Sequence, residues 1–475
     1  MTNKIMQNNS LYNINQTKIA EDKYTTQMTS QSKIDRPSDD PVVAIRALRL
    51  RTNVTEVTQY YEKNAPDANQ WLDVTAGALT TVTDIITNLY KQAEKGFNKE
   101  LKSDDLQVIL DQMKAYTKEF YATGNQDYAG RYIFTGYRTD MELTFSKPAN
   151  KKYTIYQKVS LDDFDVLNTT DHTKLDTTAD LESATEQDIK NEDKHRLRLP
   201  YKDIKTDGFE IKLTDPAHPE KPQSITSGYT VSEDGQVIFT NEAFAELETA
   251  LQSGKTLEVT FKKDTWETGD LHPEHFYKCV EKTATGDDIT YNADYDVDKV
   301  INYDVGYNQK IQVNTNANEV FIHDLYRDMD DLSKVVDELE KLESLKEELA
   351  RKLDAESEAS ADYSKIKNQL DAAKKAYDYV RENVKNLFGG QMTKYQNYLD
   401  KTNLAITKNG TRSSRLELIS SRLMDQQATY KELQEENEGV DMTETAVKLA
   451  SAKLTYDAAL QATGKILQNS LMNYI

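Results

Sequence analysis

Apolar residues recur at alternating steps of three and four between residues 43 and 125, the spacing that gives a helix one apolar stripe. Val43, Ala47, Leu50, Val54, Val57 and Tyr61 form a first run. Leu72, Leu79, Val82, Ile86 and Leu89 form a second, and Leu106, Ile109, Met113, Tyr116 and Phe120 a third. Pro66 and Asp67 are expected to break the first from the second, and Gly96 to Asp104 the second from the third.

From residue 148 to 300 the period changes. Pro148, Pro200, Pro216, Pro219, Pro222 and Pro273 fall among short alternating runs, which predicts a separate strand-rich module. Tyr153–Val159, Phe209–Leu213 and Leu257–Phe261 read as strands, and Gly228–Thr240 as a hairpin turning at Asp234 and Gly235. Asn241–Leu251 reads as one short helix with Asn241 as its N-cap. Helical spacing returns at Asp324. Leu332 to Asn386 is charged and free of glycine, as expected of a long exposed helix or helical hairpin ending at Gly389 and Gly390. Leu416, Ile419, Leu423, Gln426, Tyr430 and Leu433 then resume the alternation, followed by Val447, Ala450 and Leu454.

The fold class is therefore mainly α with an α+β insertion: N- and C-terminal segments join in a coiled-coil or helical bundle, and a strand-rich domain lies between them. The outermost segments, 1–42 and 438–475, form one pair. Segments 43–147 and 301–437 form the bundle, with a helical addition near 343–385, and 148–300 forms the insertion. The frame through Leu11, Ile14, Lys18, Glu21, Thr25 and Met28 is only half apolar, so the seam is weak alone. It predicts a terminal segment that stays disordered in a free monomer and orders against neighbouring subunits; the alternative is a coiled coil closed within one chain.

With 475 residues, the chain has room for two or three domains. Its 80 acidic and 59 basic residues give a charge of -21, which repels nucleic-acid backbones and anionic membranes and argues against both as partners. The single cysteine, Cys279, excludes an intrachain disulfide framework. The first 15 residues carry no basic stretch followed by an apolar core, and no run of 18 apolar residues occurs. Secretion, if it happens, is expected without a cleaved signal peptide.

Catalytic chemistry finds little footing. His272-Pro273-Glu274-His275, with Cys279 beyond, gathers metal-ligating types, but the two histidines lack the helical zinc-protease spacing and a proline intervenes, so a surface loop is the expectation. Asn292, Asp294, Asp296 and Asp298 alternate as calcium-loop ligands do, without the glycine or the closing glutamate such a loop needs. No phosphate-binding Gly-Lys-Ser/Thr loop or Gly-x-Ser-x-Gly turn occurs. No enzyme, cofactor or metal is expected, and Trp71 and Tyr132 are read as core aromatics.

Residues 32–41, Ser-Lys-Ile-Asp-Arg-Pro-Ser-Asp-Asp-Pro, resemble the N-terminal signature of the flagellin superfamily, where a helix ends, turns and restarts. Pro37 and Pro41 cannot continue a helix, and Ser38 or Asp39 is placed to cap the next one. Asn69-Gln70-Trp71-Leu72, the Gly130–Gly136 aromatic hairpin, Tyr303–Phe321, Gly410–Glu417, Val440–Glu444 and Ser470–Tyr474 are similar to the hook-associated junction branch of that superfamily more than to flagellin itself. The matched segments cover nearly all of 1–147 and 301–475, whereas 148–300 and 343–385 follow no motif of the family.

The resemblance implies a structural subunit between flagellar hook and filament, outside the cell, exported through the flagellar type III apparatus. It implies self-association into a ring of about eleven copies, contact with a neighbouring hook-associated protein and with flagellin, and a cytoplasmic export chaperone on the C-terminal helix. Arg36, Pro37, Asp39, Asp40, Pro41, Trp71, Leu72, Leu416, Leu423, Leu454, Leu467 and Leu471 are the residues expected to carry assembly and packing. Flagellin, and a surface adhesin that binds through the insertion, are the alternatives.

Overall fold

The structure is a computed structural model and describes all residues except 1, 99–100, 177, 219, 284–285, 296–298, 358–359 and 473–475. Four helices open the chain, α1 (Thr2–Ser30), α2 (Pro41–Gln59), α3 (Ala65–Gly96) and α4 (Ser103–Thr123). A small hairpin, β1 (Asp127–Tyr128) and β2 (Arg131–Tyr132), turns through Ala129 and Gly130, both at positive φ as a two-residue turn requires.

The insertion holds β3 (Lys152–Val159), β4 (Phe164–Asp171), β5 (Lys190–Arg198), β6 (Lys205–Thr214), β7 (Gln223–Ile225), β8 (Tyr229–Val231), β9 (Gln236–Phe239), β10 (Thr256–Lys263), β11 (Lys278–Lys282) and β12 (Asp288–Tyr291). Single turns α5 (Thr173–Asp176) and α6 (Thr178–Leu181) and one helix, α7 (Asn241–Gln252), sit among them. The hairpin β13 (Asn302–Gly306) and β14 (Gln309–Gln312) leads to α8 (Asp324–Ala355), α9 (Ala361–Glu438) and α10 (Met442–Met472). A mainly α chain with an α+β insertion is what the periodicities predict.

The chain divides into two compact units. One comprises Met1–Ala68, Tyr303–Ile311 and Ser414–Ile475, the other Asn69–Asn302 and Gln312–Ser413. In the first, α1 lies along α10, and α2 turns Ala44, Ala47 and Val57 inward, where Leu416, Ile419 and Leu423 of α9 and Val305 and Ile311 of the β13–β14 hairpin are buried too. Gln427 Nε2 donates to Thr58 Oγ1 at 2.9 Å and to Glu62 Oε1 at 2.8 Å. The break expected at Pro66 and Asp67 is absent. One π turn, Tyr60–Asn64, joins α2 to α3, with the Ala65 N–H reaching Tyr60 O. A proline ring collides with the carbonyl four residues back, and the widened turn relieves that collision without ending the helix.

In the second unit, Trp71, Leu72, Leu79, Val82, Ile86 and Leu89 of α3 are buried, as are Leu106, Leu110, Met113 and Phe120 of α4 and their counterparts on α8 and α9. Gly389 and Gly390 do not stop α9. A Cβ on Gly389 would stand 3.0 Å from the Phe97 ring and one on Gly96 only 2.5 Å from the Phe388 ring. Each phenylalanine thus occupies the space left by a glycine on the other helix, so these glycines serve close packing. The Leu332–Asn386 stretch is a helical hairpin, turning between α8 and α9, with a small core of Leu349, Leu370 and Ala373.

The insertion contains two antiparallel sheets, ordered β12-β11-β3-β10-β6-β7 and β4-β5-β9-β8. Val259 of β10 faces Gln157 of β3 and Ile211 of β6. Ile155, Ile211, Val259 and Phe261 of the first sheet share one core with Leu197, Val237 and Phe239 of the second and Leu247 of α7. The N-cap of α7 is Thr240, whose Oγ1 accepts from Ala243 N, and not Asn241 as expected.

Charges join this insertion to the helices. Arg196 and Arg198 on β5 are 3% and 6% exposed at their side chains; Arg196 pairs with Asp165 at 2.7 Å and with Asp331 at 2.9 Å. Arg198 meets Asp328 at 2.7 Å and Asp331 at 3.0 Å, and Lys394 of α9 meets Asp328 at 3.0 Å. Burial opposes ionisation of Asp328, but Arg198 and Lys394 prevail and hold its carboxyl down at about 2. Removing one partner from a buried pair leaves an uncompensated charge. Asp328→Ala should therefore lower unfolding stability by about 3–5 kcal/mol, read as a lower urea midpoint; an unchanged midpoint would show that the network contributes nothing.

Candidate assembly site

Both ends of the chain break their helices at one place. Helix α1 stops at Ser30, Gln31 takes φ 56, and Ser32 forms an antiparallel bridge with Gly439 in the break between α9 and α10. Lys33 N–H donates to Glu438 O at 2.8 Å and Val440 N–H to Gln31 O at 3.1 Å. A Cβ on Gly439 would sit 2.5 Å from the Glu435 carbonyl oxygen, so no larger residue fits there. Arg51 Nε adds charge-assisted bonds to Glu438 Oε1 and Oε2 at 2.9 and 3.0 Å.

The turn between α1 and α2 is built by its own polar residues. Asp39 Oδ2 accepts from Arg36 N at 2.9 Å and Asp35 N at 3.1 Å, and the Arg36 N–H bond is the chief reason its carboxyl lies below the usual range. Asp40, not Ser38 or Asp39, caps α2: its Oδ1 accepts from Val42 N at 3.0 Å and Val43 N at 3.1 Å. Pro41 at the first helical position has no N–H and forces Asp40 into extended geometry, φ -150 and ψ 100, from which its carboxylate reaches those two donors.

Asp441 repeats the device before α10, accepting from Thr443 N at 2.9 Å and Glu444 N at 3.0 Å. Neither Asp441 nor Gly439 was among the expected site residues. The signal was present, since a glycine followed within two residues by an aspartate between helical runs marks a stop and a restart.

The expected packing leucines separate into two kinds. Leu416 and Leu423 are 1% and 2% exposed, whereas Leu454 on α10 is 72% exposed. Ile5, Leu11 and Ile19 on α1 and Val447 on α10 are also more than half exposed. The side chains of Leu467 and Leu471 lie outside the described residues. Arg36 and Pro37 are exposed in the turn.

In the other unit, Trp71 and Leu72 are buried, with Arg131 4.9 Å above the Trp71 ring and Tyr128 edge-on to it at 6.0 Å. Asn409 Nδ2 donates to Leu72 O at 2.9 Å.

The His272–Cys279 segment is no surface loop, because His272, Glu274, His275 and Cys279 are all buried. His272 stacks on Phe145 with ring centroids 3.6 Å apart, Glu274 pairs with Arg138, and His275 Nε2 stands 3.2 Å from Glu142 O. These partners are packing and salt-bridge groups, and among the described residues no three His, Cys, Asp or Glu stand together in a metal-holding group. Asn292 donates to Glu274 O and Tyr277 O, both at 2.8 Å, and so clamps that turn; Asp294 is exposed, and Asp296 and Asp298 lie outside the described residues.

His323, before α8, lies between Tyr201 OH at 2.9 Å from Nε2 and Tyr277 OH at 3.3 Å from Nδ1. Tyr201 OH donates onward to Leu271 O. Among the described residues, no helix is long and apolar enough to cross a membrane.

Residues 1–139 match the model of the family described as the bacterial flagellin N-terminal helical region. The N-terminal region is flagellin-like. Over 119 residues, 25% of this chain, the sequence is 29% identical to flagellar hook-associated protein 3 of Escherichia coli K12 and 28% identical to that of Salmonella typhimurium. The match spans 37% of each of these relatives, just over a third of their length. A putative flagellar hook-associated protein from Vibrio parahaemolyticus aligns with 84% of this chain and 100% of its own at 12% identity and a TM-score of 0.36. Xanthomonas campestris FlgL aligns with 80% of this chain and 97% of its own at 11% identity and a TM-score of 0.33. At such scores these superpositions carry no argument on fold. The resemblance read from the motifs of residues 32–136 is met by the flagellin-like family match over the same region and by the hook-associated relatives.

Burial holds the His323 imidazole down at about 3 and that of His275 at about 4, against an ordinary value near 6.5. The unfolded chain therefore takes up protons that the folded chain refuses. Their contribution is complete above about pH 6.5 and falls as pH drops toward those values, on the order of 5 kcal/mol between pH 6.5 and 4.5. Urea unfolding across that range should show the loss, and His323→Gln should flatten its slope by about half; an unchanged slope would exclude His323 as a source.

Proposed function

We propose that this chain is a structural, non-enzymatic subunit of the bacterial flagellum, a hook-associated protein that forms the junction between hook and filament. The observation that carries the reading is the pairing of its two ends. α1 and α10 lie together yet leave Ile5, Leu11, Ile19, Val447 and Leu454 largely exposed. Burying each against neighbouring subunits is worth roughly 1.5–3 kcal/mol, so the weak seam of one chain is completed by the next.

In this reading 1–42 and 438–475 are the polymerisation segments. Segments 43–147 and 301–437 form the bundle, lengthened near 343–385, and 148–300 is carried on the outside of the assembly. Arg36, Pro37, Asp39, Asp40 and Pro41 set the turn between the first two helices; Trp71, Leu72, Leu416 and Leu423 fix packing; Leu454, Leu467 and Leu471 meet neighbours. The partners are further copies in a ring of about eleven, a neighbouring hook-associated protein, flagellin, and an export chaperone on residues 443–475. The chain is made in the cytoplasm and exported by the flagellar type III route.

Immunogold labelling of intact cells with antibody against residues 148–300 should give one discrete band at the distal end of the hook. Label along the whole filament would make the chain a flagellin. Deleting residues 443–475 should abolish capture by the export chaperone in a pull-down from the native cytoplasm; undiminished capture would place the chaperone site elsewhere.

A further inference from the structure

One recess in the unit formed by residues 69–302 and 312–413 differs from the acidic character of the chain. On α9, Lys401, Leu404, Lys408 and Arg412 follow at steps of three and four, which puts them on one helix face. They wall a recess of about 410 Å³ whose other side carries Gln312, Asn316 and Glu319. Lys408 pairs with Glu319 at 2.8 Å, and Arg412 donates to Asn314 O at 2.8 Å. Lys401 has no ion pair among the described residues, and Leu404, at the centre, is 56% exposed. The recess is thus net positive around an uncovered apolar residue, on a chain of net charge -21.

The complementary pattern stands on α4. Asp104, Val108, Asp111 and Ala115 succeed one another on its exposed face, with Val108 58% exposed. Asp104 and Asp111 form no ion pair among the described residues. Laid side by side in parallel, the two stripes match in register: Asp104 opposite Lys401, Val108 opposite Leu404, Asp111 opposite Lys408, and Ala115 opposite Arg412.

Their directions and heights are fixed by α8. Ser103, Lys114 and Tyr121 reach Glu343, Ser333 and Ile322 in turn, and Lys394 and Tyr398 reach Asp328 and Asp324. Both α4 and α9 therefore run antiparallel to α8 and parallel to each other. At 1.5 Å per residue the centres of the two stripes lie roughly 30 Å apart along the bundle, so they cannot meet within one chain.

We propose that the α4 stripe of one copy docks into the α9 recess of the next, a head-to-tail contact between copies staggered by about that distance. The proposal rests on the reading of the chain as a flagellar assembly subunit. Matched charges set register, since a slip by one turn sets Val108 or Ala115 against a lysine and an aspartate against Leu404.

The test uses the full-length chain assembled on cells, carrying Val108→Cys and Leu404→Cys. Both positions are exposed, and native Cys279 is buried and does not compete. Mild oxidation should yield dimers and longer ladders of this chain from the double variant and none from either single variant. Asp104→Lys in that background should lower the cross-linked fraction about tenfold, and adding Lys401→Glu should restore it. Absence of the ladder while the labelled band persists at the hook would overturn the interface and leave the functional reading standing. A ladder insensitive to Asp104→Lys, or cross-links only to a different flagellar protein, would also overturn it. Loss of the band for the unmodified chain would remove the functional reading and the interface with it.

Discussion

The short backbone bridge between Ser32 and Gly439 governs how the two ends of the chain are arranged. Two backbone hydrogen bonds between residues 31–33 and 438–440 form that bridge and tie the two helix breaks together, and the Arg51–Glu438 pair reinforces them from α2. Because α1 and α10 restart and stop at the same place, their registers are set there and not by the polar, half-apolar seam between them. A weak seam can then be tolerated. The aspartates on either side, Asp40 and Asp441, each satisfy two N–H groups that a helix start would otherwise leave without partners. Gly439 allows the approach because its Cα carries nothing that would strike the Glu435 carbonyl.

A different economy holds the insertion to the helices it grows from. Its two sheets share an apolar core, but the contact with α8 and α9 is made by Arg196, Arg198, Asp165, Asp328, Asp331 and Lys394. Buried ion pairs of this kind add little net stability relative to apolar packing, yet breaking one is costly, so what they supply is a single permitted arrangement. The same holds further along the hairpin, where His172 meets Glu338 at 2.6 Å and Asn383 donates to Thr170 at 3.1 Å. The two stretches that follow no family motif, 148–300 and 343–385, are thus packed on each other. An extension of the helices and an insertion of strands form one body, which gives a physical reason for their presence in the same chain.

Much of this was legible in the sequence. Helical stripes, the strand-rich interval and the turn at Asp234 and Gly235 depend on local chemistry, and local chemistry is what a sequence displays. The errors have two sources. Pro66 signals a stop, but a π turn upstream accommodates it; Gly389 signals a stop, but Phe97 needs the space it leaves; His272 and Glu274 signal a solvated loop, but Phe145 and Arg138 bury them. For Gly389 and for His272 and Glu274 a partner distant in sequence decided the outcome, and no window of a dozen residues contains that partner; the π turn at Tyr60–Asn64 and the caps Asp40 and Thr240 are local choices among neighbouring residues of similar propensity. The site was legible in part: the turn around Pro37 and Pro41 could be named, but its cap was expected at Ser38 or Asp39 where Asp40 serves, and the burial of Leu423 and the exposure of Leu454, both at helical spacing, could not be told apart.

That last distinction bears on how such a chain could assemble without assembling wrongly. An exposed apolar seam attracts any other apolar seam, so it supplies strength with little discrimination. Charges spaced on a helix face attract only at matching spacing and repel elsewhere, so they supply register with little strength. Here α1 and α10 leave apolar residues bare, whereas the stripes on α4 and α9 set acidic and basic residues around single exposed apolar ones, Val108 and Leu404. A chain with 21 more acidic than basic side chains repels its copies at long range. In the proposed assembly, approach succeeds where a local positive recess meets an acidic stripe, and the apolar ends close once that alignment is reached. Screening by salt weakens both the general repulsion and the local attraction, so the balance between them, and not the apolar area, decides which encounters become permanent.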